Sequence, residues 1–115
     1  MGGDLTSTDV RLDYLLDSLK DAVVFCDLNH VIRYMNRAAH LRYAGRPAAV
    51  GRSIFDCHND ESNAMIATIV ERFLAGEDEV FLSDRKGERV FMRAVRDEGG
   101  ALIGYYERYE VSCAN

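Results

Sequence analysis

The sequence lacks several features that mark large classes of protein. No apolar run approaches the roughly 20 residues that a membrane helix needs, so we expect no membrane span. The start of the chain has no basic segment followed by an apolar one, which predicts no secretory signal and a cytoplasmic location. The three cysteines, Cys26, Cys57 and Cys113, form no C-x-x-C pair. Free thiols are therefore expected, rather than a zinc knuckle or a disulfide framework.

The sequence is also short of positive charge and of catalytic motifs. Its net charge of −5 predicts no direct binding to nucleic acids, which requires a basic surface that displaces counterions. The three histidines, His30, His40 and His58, are scattered, and no nucleophile elbow, phosphate-binding glycine loop or H-E-x-x-H motif is present. The acidic run at 77–79 is interpreted as a solvated loop. We therefore expect a protein that is not an enzyme.

The chain has the length of one domain. Its 115 residues are enough for a single hydrophobic core and too few for two. Near the start, after a cap at Ser7 or Thr8, leucines recur at three- and four-residue steps and predict an amphipathic helix. The apolar positions of this helix are Leu12, Leu15, Leu16 and Leu19. We assign 1–20 to an N-terminal arm and this helix, 21–110 to the folded domain and 111–115 to a tail.

The remaining pattern predicts an α+β fold. Apolar residues at 22–26 and 31–35 predict a β-hairpin, and Asn36 is expected to cap a short helix after it. An apolar stripe predicts a long helix over 61–75, with Gly76 at its C-terminal end. Three further strands are predicted at 79–82, 89–96 and 101–109. The economical arrangement is a five-stranded antiparallel sheet with the helices inserted between strands 2 and 3, plus the N-terminal amphipathic helix.

Several short stretches, in a particular order and spacing, give the chain its resemblance to a known family. They are AVVFCD at 22–27, IRYMNRAA at 32–39, VGRSIFD at 50–56, GER at 87–89 and RDEGGALIG at 96–104. Together they resemble the PAS domain family over roughly residues 15–110. The resemblance implies a module that encloses a small ligand or cofactor between sheet and helices, and relays changes to an effector domain or partner protein.

A finer resemblance concerns the start of the long helix. The chain reads CHNDES at 57–62 and ERFLAG at 71–76, which is similar to PAS domains found alongside hemerythrin-like domains in bacterial proteins. Those domains carry a Cys-His-Pro-Pro-Lys-Ser stretch at this point. Here Asn59, Asp60 and Glu61 replace the two prolines and the lysine, so a shared binding role does not follow from the likeness.

The resemblance implies a ligand pocket between sheet and helices. The candidate pocket residues are Tyr34, Met35, Phe55, Met65, Ile69, Met92 and Arg93. If Arg93 faces inward, it suits an anionic ligand such as a carboxylate. The alternative is a surface arginine that pairs across strands with Glu107.

Cys57 and His58 are the candidate cofactor residues, because thiolate and imidazole both bind iron and a helix N-terminus stabilises a thiolate. The alternative is structural: His58 and Ser62 satisfy the first-turn amides, and Cys57 packs below them. The family resemblance implies a heme-binding histidine within the long helix, where 64–68 contain none, and a photoactive flavin would need a cysteine where Ile54 stands. A heme- or flavin-bearing redox or gas sensor is kept as an alternative. We predict no set of residues that would bind a metal ion.

The last strand and the N-terminal helix together supply a candidate dimer interface. On the strand, Tyr105, Tyr109, Glu107 and Ile103 are predicted to share one face, with Tyr106 on the other. PAS domains often associate through the sheet and this helix, so the resemblance implies a homodimer. The candidate interface residues are Leu12, Leu15, Leu16, Leu19, Tyr105, Tyr106 and Tyr109. We expect a cytosolic sensory or interaction module in signal transduction or transcription regulation, with a ligand-free dimerisation module as a further alternative.

Overall fold

The structure, a computed structural model, describes residues 12–44, 49–85 and 87–111. The chain forms, in order, helix α1 (Leu12–Asp17), strands β1 (Ala22–Asp27) and β2 (Ile32–Met35), helix α2 (Arg37–Arg42), a 3-10 helix (Ile54–Cys57), helix α3 (Asp60–Leu74), and strands β3 (Glu79–Arg85), β4 (Glu88–Arg96) and β5 (Leu102–Val111). Three residues named above lie outside the described part of the chain: Ser7, Thr8 and Cys113.

The five strands form one antiparallel sheet in the order β2-β1-β5-β4-β3. The connection from β2 to β3 contains α2, the 3-10 helix and α3. The predicted α+β architecture, with its helices between the second and third strands, is therefore confirmed. No helix in the described ranges is long and apolar enough to cross a membrane.

The hydrophobic core lies between α3 and the inner face of the sheet, defined here as the face that α3 covers. Helix α3 buries one stripe, formed by Ile66, Ile69, Val70 and Phe73. From the sheet, Cys26, Met92 and Tyr105 are fully buried against it. The helix was predicted within one residue of each end, and Gly76 follows the C-cap residue Ala75 at φ 114°, a conformation that glycine adopts readily.

A bulge in the β4–β5 ladder changes which residues face the core. Val95 pairs with Gly104 and Arg96 pairs with Leu102, so Ile103 is the extra residue of β5. Leu102 is buried and Ile103 is exposed. The prediction that Ile103 shares a face with Tyr105 is therefore wrong, because strict alternation ends at the bulge.

The side chain of Asn36 joins three elements and is fully buried. Its oxygen accepts hydrogen bonds from the backbone nitrogens of Val23, at 2.9 Å, and of Ala39, at 3.0 Å; the second bond caps α2 as predicted. Its nitrogen donates to the backbone oxygens of Leu16, at 3.0 Å, and of Asp21, at 2.9 Å. This amide therefore ties α1 to β1 and to the start of α2.

Helix α1 lies against the outer face of the sheet, the face opposite α3. The Tyr34 hydroxyl donates a 2.7 Å hydrogen bond to the Asp17 carboxylate, which also accepts a 2.9 Å bond from the backbone nitrogen of Arg37. No residue of α1 is buried. Polar contacts therefore hold the helix in place, and most of its apolar face stays open to solvent.

Candidate functional site

A cavity of about 460 Å³ lies between the inner face of the sheet and the segments that precede α3. Its apolar walls are Val24, Ile32, Met35, Ala49 and Ile54. Its polar walls are Tyr43, Arg52, Asp56, Cys57, His58, Glu107 and Tyr109. Small-molecule sites typically have volumes of roughly 300–1,000 Å³, mostly apolar walls and a few polar groups. The cavity therefore has the size and the lining of a ligand site.

Glu107 is the most deeply buried acidic group described, with 5% of its surface exposed. Strand β5 places its side chain on the inner face, between Tyr105 and Tyr109. The Tyr109 hydroxyl donates to Glu107 Oε1 at 3.1 Å, and the Tyr43 hydroxyl donates to the Tyr109 oxygen at 3.0 Å. A short hydrogen-bonded chain thus runs along the cavity wall and ends on the carboxyl group.

Burial raises the pKa of Glu107 above its ordinary value, because desolvation disfavours the charged form. The positive charges of His58 and Arg42 and the hydrogen bond from Tyr109 lower this pKa in part. Burial likewise raises the pKa of the Tyr109 hydroxyl, which stays protonated and remains a donor. The carboxyl group can therefore hold a proton at a pH where an exposed glutamate would be ionised.

His58 lines the same cavity, and its ring is held by the 3-10 helix. Its Nδ1 lies 2.9 Å from the backbone oxygen of Ile54. Because a carbonyl oxygen only accepts, Nδ1 carries a proton, and Nε2 is the ring nitrogen left for another partner. A single imidazole nitrogen can serve as one axial ligand. Among the described residues, no group of three histidine, cysteine or acidic side chains could hold a metal ion.

The alternative in which His58 and Ser62 cap the long helix, with Cys57 packed below, is wrong in its details. The cap of α3 is Asn59, whose side-chain oxygen accepts a 2.8 Å hydrogen bond from the backbone nitrogen of Ser62. His58 bonds to the preceding turn instead, and Cys57 is exposed rather than packed below the helix. Asparagine takes the cap because its short side chain reaches the third amide of the helix.

Three of the candidate pocket residues lie away from the cavity. Tyr34 points to the outer face, where it bonds to α1. Met65 lies on the solvent side of α3 and is 48% exposed. Arg93 is exposed on the outer face, 3.8 Å from Glu79. Arg93 is therefore a surface arginine, as in the alternative interpretation, but its cross-strand partner is Glu79 because Glu107 lies on the opposite face.

The other candidate pocket residues lie in or beside the cavity wall. Met35 lines the cavity. Ile69 and Met92 are buried in the adjoining core. Phe55 is partly buried and packs on the ring of His30, with 4.4 Å between the ring centres. The cavity thus lies closer to β2 and the 3-10 helix than to α3.

A second polar contact lies in the core next to Phe55. His30 Nδ1 is 2.8 Å from the Tyr105 hydroxyl, which also contacts Cys26. Burial raises the pKa of the Cys26 thiol to about 12 and lowers the pKa of His30. Both groups are therefore neutral at physiological pH, and Cys26 is a core residue as predicted.

The candidate dimer residues divide between the surface and the core. Tyr105 and Tyr109 are buried on the inner face, so they were wrong as interface candidates. Tyr106 is half-buried on the outer face, beside Phe25 of the neighbouring strand. The N-terminal leucines remain available. Leu12 and Leu15 of α1 are exposed, as is Leu19 beyond the end of the helix, and Leu16 is half-buried.

Sequence reasoning missed Glu107 as a cavity residue. The signal was present, because alternation along the last strand placed Glu107 on the same face as Tyr105 and Tyr109. A carboxyl group between two tyrosines on one strand face marks either a polar outer surface or a buried polar site. Only the position of α3 over that face decides between the two.

Comparison with known proteins is consistent with this geometry. A family model described as a PAS domain matches residues 12–109. A C-terminal domain from Streptococcus mutans is 24% identical with a TM-score of 0.70, covering 88% of this chain and 82% of that one. A sensory box sensor histidine kinase from Vibrio cholerae is 19% identical with a TM-score of 0.63, covering 96% of each chain.

A third similar structure is the PAS domain of a protein from Colwellia psychrerythraea, at 16% identity and a TM-score of 0.64. It covers 94% of this chain and 97% of that one. No curated protein sequence matches the chain. The family match extends from α1 to the last strand and includes the whole cavity wall, and the observed strand order and inserted helices agree with it. The chain therefore belongs to the PAS domain family.

Proposed function

We propose that the chain is a sensory module in which a small molecule enters the cavity and alters the packing between sheet and helices. The observation that carries the proposal is the cavity of about 460 Å³ with the buried Glu107 carboxyl in its wall. A polar group in a mostly apolar cavity wall can fix the orientation of a bound small molecule. The similar sensor histidine kinase from Vibrio cholerae supports a role of this kind.

A direct path leads from the cavity to α1. Met35 lines the cavity, and the next residue, Asn36, holds the backbone oxygen of Leu16 at 3.0 Å. A ligand that displaces the end of β2 therefore acts on the helix through one buried amide. Such a ligand shifts an equilibrium between two packings only as far as its affinity for them differs.

We propose that α1 carries the signal as part of a homodimer. Leu12, Tyr14, Leu15 and Leu19 present large apolar surfaces to solvent within eight residues of one another. A second copy offers the same surface, so two such helices can bury each other about a two-fold axis. In this proposal the effector domain or partner protein responds to a change in that packing.

We infer a binding rather than a catalytic role for the cavity. In the described part of the chain its buried ionisable groups, Glu107 and Tyr109, bond to each other, and the half-buried His58 bonds to Ile54. A general acid–base pair needs both groups within hydrogen-bond reach of one reacting atom. These contacts suit the recognition of a ligand.

Entry of a small molecule can be tested with N-phenyl-1-naphthylamine, a neutral dye whose fluorescence rises in apolar surroundings. Val24→Phe fills the cavity from the sheet side, because Val24 is in its wall. Val90→Phe is the matched control, since Val90 packs against the core of the same sheet outside the cavity. Thermal unfolding establishes that both variants fold.

We expect the dye to bind the wild type and Val90→Phe, and to lose most of its fluorescence with Val24→Phe. Dye binding should also change hydrogen exchange at the amides of α1 in the wild type and in Val90→Phe, but not in Val24→Phe. Equal fluorescence with both variants would mean that the dye sits elsewhere, and the ligand-binding proposal would be abandoned. Binding without any change at α1 would remove only the proposed relay.

The cofactor-bearing sensor stays a second proposal because His58 lines the cavity. Its Nδ1 bond to Ile54 leaves Nε2 as the nitrogen able to bind heme iron. The test is a visible absorption spectrum of the chain purified from cells supplied with iron and heme precursor. A Soret band that is lost with His58→Ala supports heme, flavin bands support a flavin, and a featureless spectrum rejects both.

A further inference from the structure

We propose that the cavity selects an organic cation, an amine with an apolar body, and that Glu107 is the group that binds the ammonium end. The inference rests on the proposed ligand-binding function and names the ligand class of the same site. It is carried by three observations: the unmet hydrogen-bonding capacity of the buried carboxyl, the positions of the nearby cations, and the aromatic and apolar cavity walls.

The Glu107 carboxyl has more acceptor capacity than the fold uses. An ionised carboxylate offers about four lone-pair sites. Among the described residues, the Tyr109 hydroxyl is its one hydrogen-bond donor, at 3.1 Å. Glu107 has only 5% of its surface exposed and lines the cavity. An ammonium group brings three N–H donors and a positive charge, which is the complement that this carboxyl lacks.

Three cations of the protein lie near the cavity: Arg42 and His58 have other partners, and Arg52 is an exposed residue of the cavity wall. Arg42 forms a salt bridge with Glu88 at the surface. The guanidinium of Arg42 lies 4.3 Å from the centre of the Tyr109 ring, so it covers that ring rather than the carboxyl. His58 donates its Nδ1 proton to Ile54. Within the described ranges, Glu107 takes part in no salt bridge, although the charges of His58 and Arg42 act on it.

The cavity walls suit the rest of such a ligand. Tyr43 and Tyr109 meet edge to face, with 6.4 Å between ring centres, and aromatic rings attract ammonium groups. Val24, Met35 and Ile54 supply the apolar wall. An anionic ligand would bring a second negative charge to a buried carboxyl, and an apolar neutral one would leave the acceptor sites unfilled. A cation is the one charge class that pairs with the ionised carboxyl, and its own charge favours that form against the effect of burial.

The test compares three ligands of one shape and three charges: tryptamine, tryptophol and indole-3-propionate. Calorimetric titration of the wild type at neutral pH should rank them in that order, with tryptamine about tenfold tighter than tryptophol, the gain typical of a charge-assisted hydrogen bond. Glu107→Gln should remove that advantage and leave tryptophol binding unchanged. Glu79→Gln, an exposed carboxyl on the outer face, is the matched control and should bind like the wild type.

The ranking of the three ligands uses the wild type alone, so the test stands even if Glu107→Gln fails to fold. Tryptophol or indole-3-propionate binding as tightly as tryptamine overturns the inference, and so does the failure of all three to bind. An unchanged tryptamine affinity in a folded Glu107→Gln variant overturns it as well. The dye experiment separates these failures from the proposed function, because N-phenyl-1-naphthylamine reports entry into the cavity without regard to charge.

Discussion

The side-chain amide of Asn36 donates a hydrogen bond to the backbone oxygen of Leu16 across 3.0 Å. Asn36 follows Met35 of the cavity wall, and Leu16 belongs to α1 on the other side of the sheet. One fully buried side chain therefore connects the candidate ligand site with the candidate dimer helix. The integrity of this connection can be measured directly.

Asn36→Ala should lower the free energy of unfolding by about 3 kcal/mol, because it removes four hydrogen bonds and strands buried backbone groups. Urea unfolding measures the loss. Asn63→Ala is the control: Asn63 makes one hydrogen bond, to Phe55, and its side-chain oxygen is buried without a partner. It should cost about 1 kcal/mol or less. Equal losses in the two variants would contradict the connecting role of Asn36.

Gly104→Ala should destabilise the fold, because the central strands approach each other too closely for a side chain. A Cβ at this position would lie 2.5 Å from the Cys26 backbone oxygen and 2.7 Å from the Phe25 ring. We expect a loss of about 1–3 kcal/mol or more in the free energy of unfolding. Gly99→Ala is the control, since its Cβ would meet only the Asp97 side chain, at 3.5 Å. A Gly104→Ala variant as stable as Gly99→Ala would show that β1 and β5 are farther apart than described.

The pKa of Glu107 makes stability depend on pH. Burial raises its folded pKa above the ordinary value of 4.5, so the protonated form is favoured in the folded state. Its contribution is fully present below the unfolded pKa and is lost as pH rises through the folded pKa. The free energy of unfolding of the wild type, minus that of Glu107→Gln, should therefore fall between pH 4.5 and neutrality.

Urea unfolding of both proteins at several pH values measures this difference. Subtracting the variant removes the opposing effects of carboxylates whose pKa is lowered, such as Asp27 beside Arg33. His58 and Arg42, the positive groups that act on Glu107, are present in both proteins. Two parallel profiles would mean that the carboxyl is solvated rather than buried.

Replacing the exposed leucines of α1 should dissociate the proposed homodimer without unfolding the chain. Leu12 and Leu15 are 73% and 56% exposed, so the double change to glutamate removes little buried surface within one copy. Sedimentation velocity at micromolar protein should show a dimer for the wild type and a monomer for Leu12→Glu/Leu15→Glu, with the melting temperature unchanged. Leu41→Glu, at a position that is 70% exposed on α2, should remain a dimer. A monomeric wild type would reject the dimer.

Local chemistry determined much of the fold in advance. The long helix was predicted within one residue of α3 because its apolar stripe and terminal glycine are set by neighbouring residues. Asn36 was recognised as a helix cap for the same reason. The 3-10 turn at 54–57 and the α3 cap at Asn59 were missed, because the segment is short and carries several polar residues able to cap.

The amino-acid sequence by itself determined which residues share a strand face, since side chains alternate along a strand whatever lies above it. Only the tertiary structure decided which face the helices cover. Tyr34 and Arg93 were therefore named as pocket candidates but lie on the outer face, while Glu107, considered only as a cross-strand partner of Arg93, lines the cavity. The bulge at Ile103 exposes that side chain, which alternation alone had placed on the same face as Tyr105. Burial depends on contacts between residues that are distant in the chain, and alternation carries no information about those contacts.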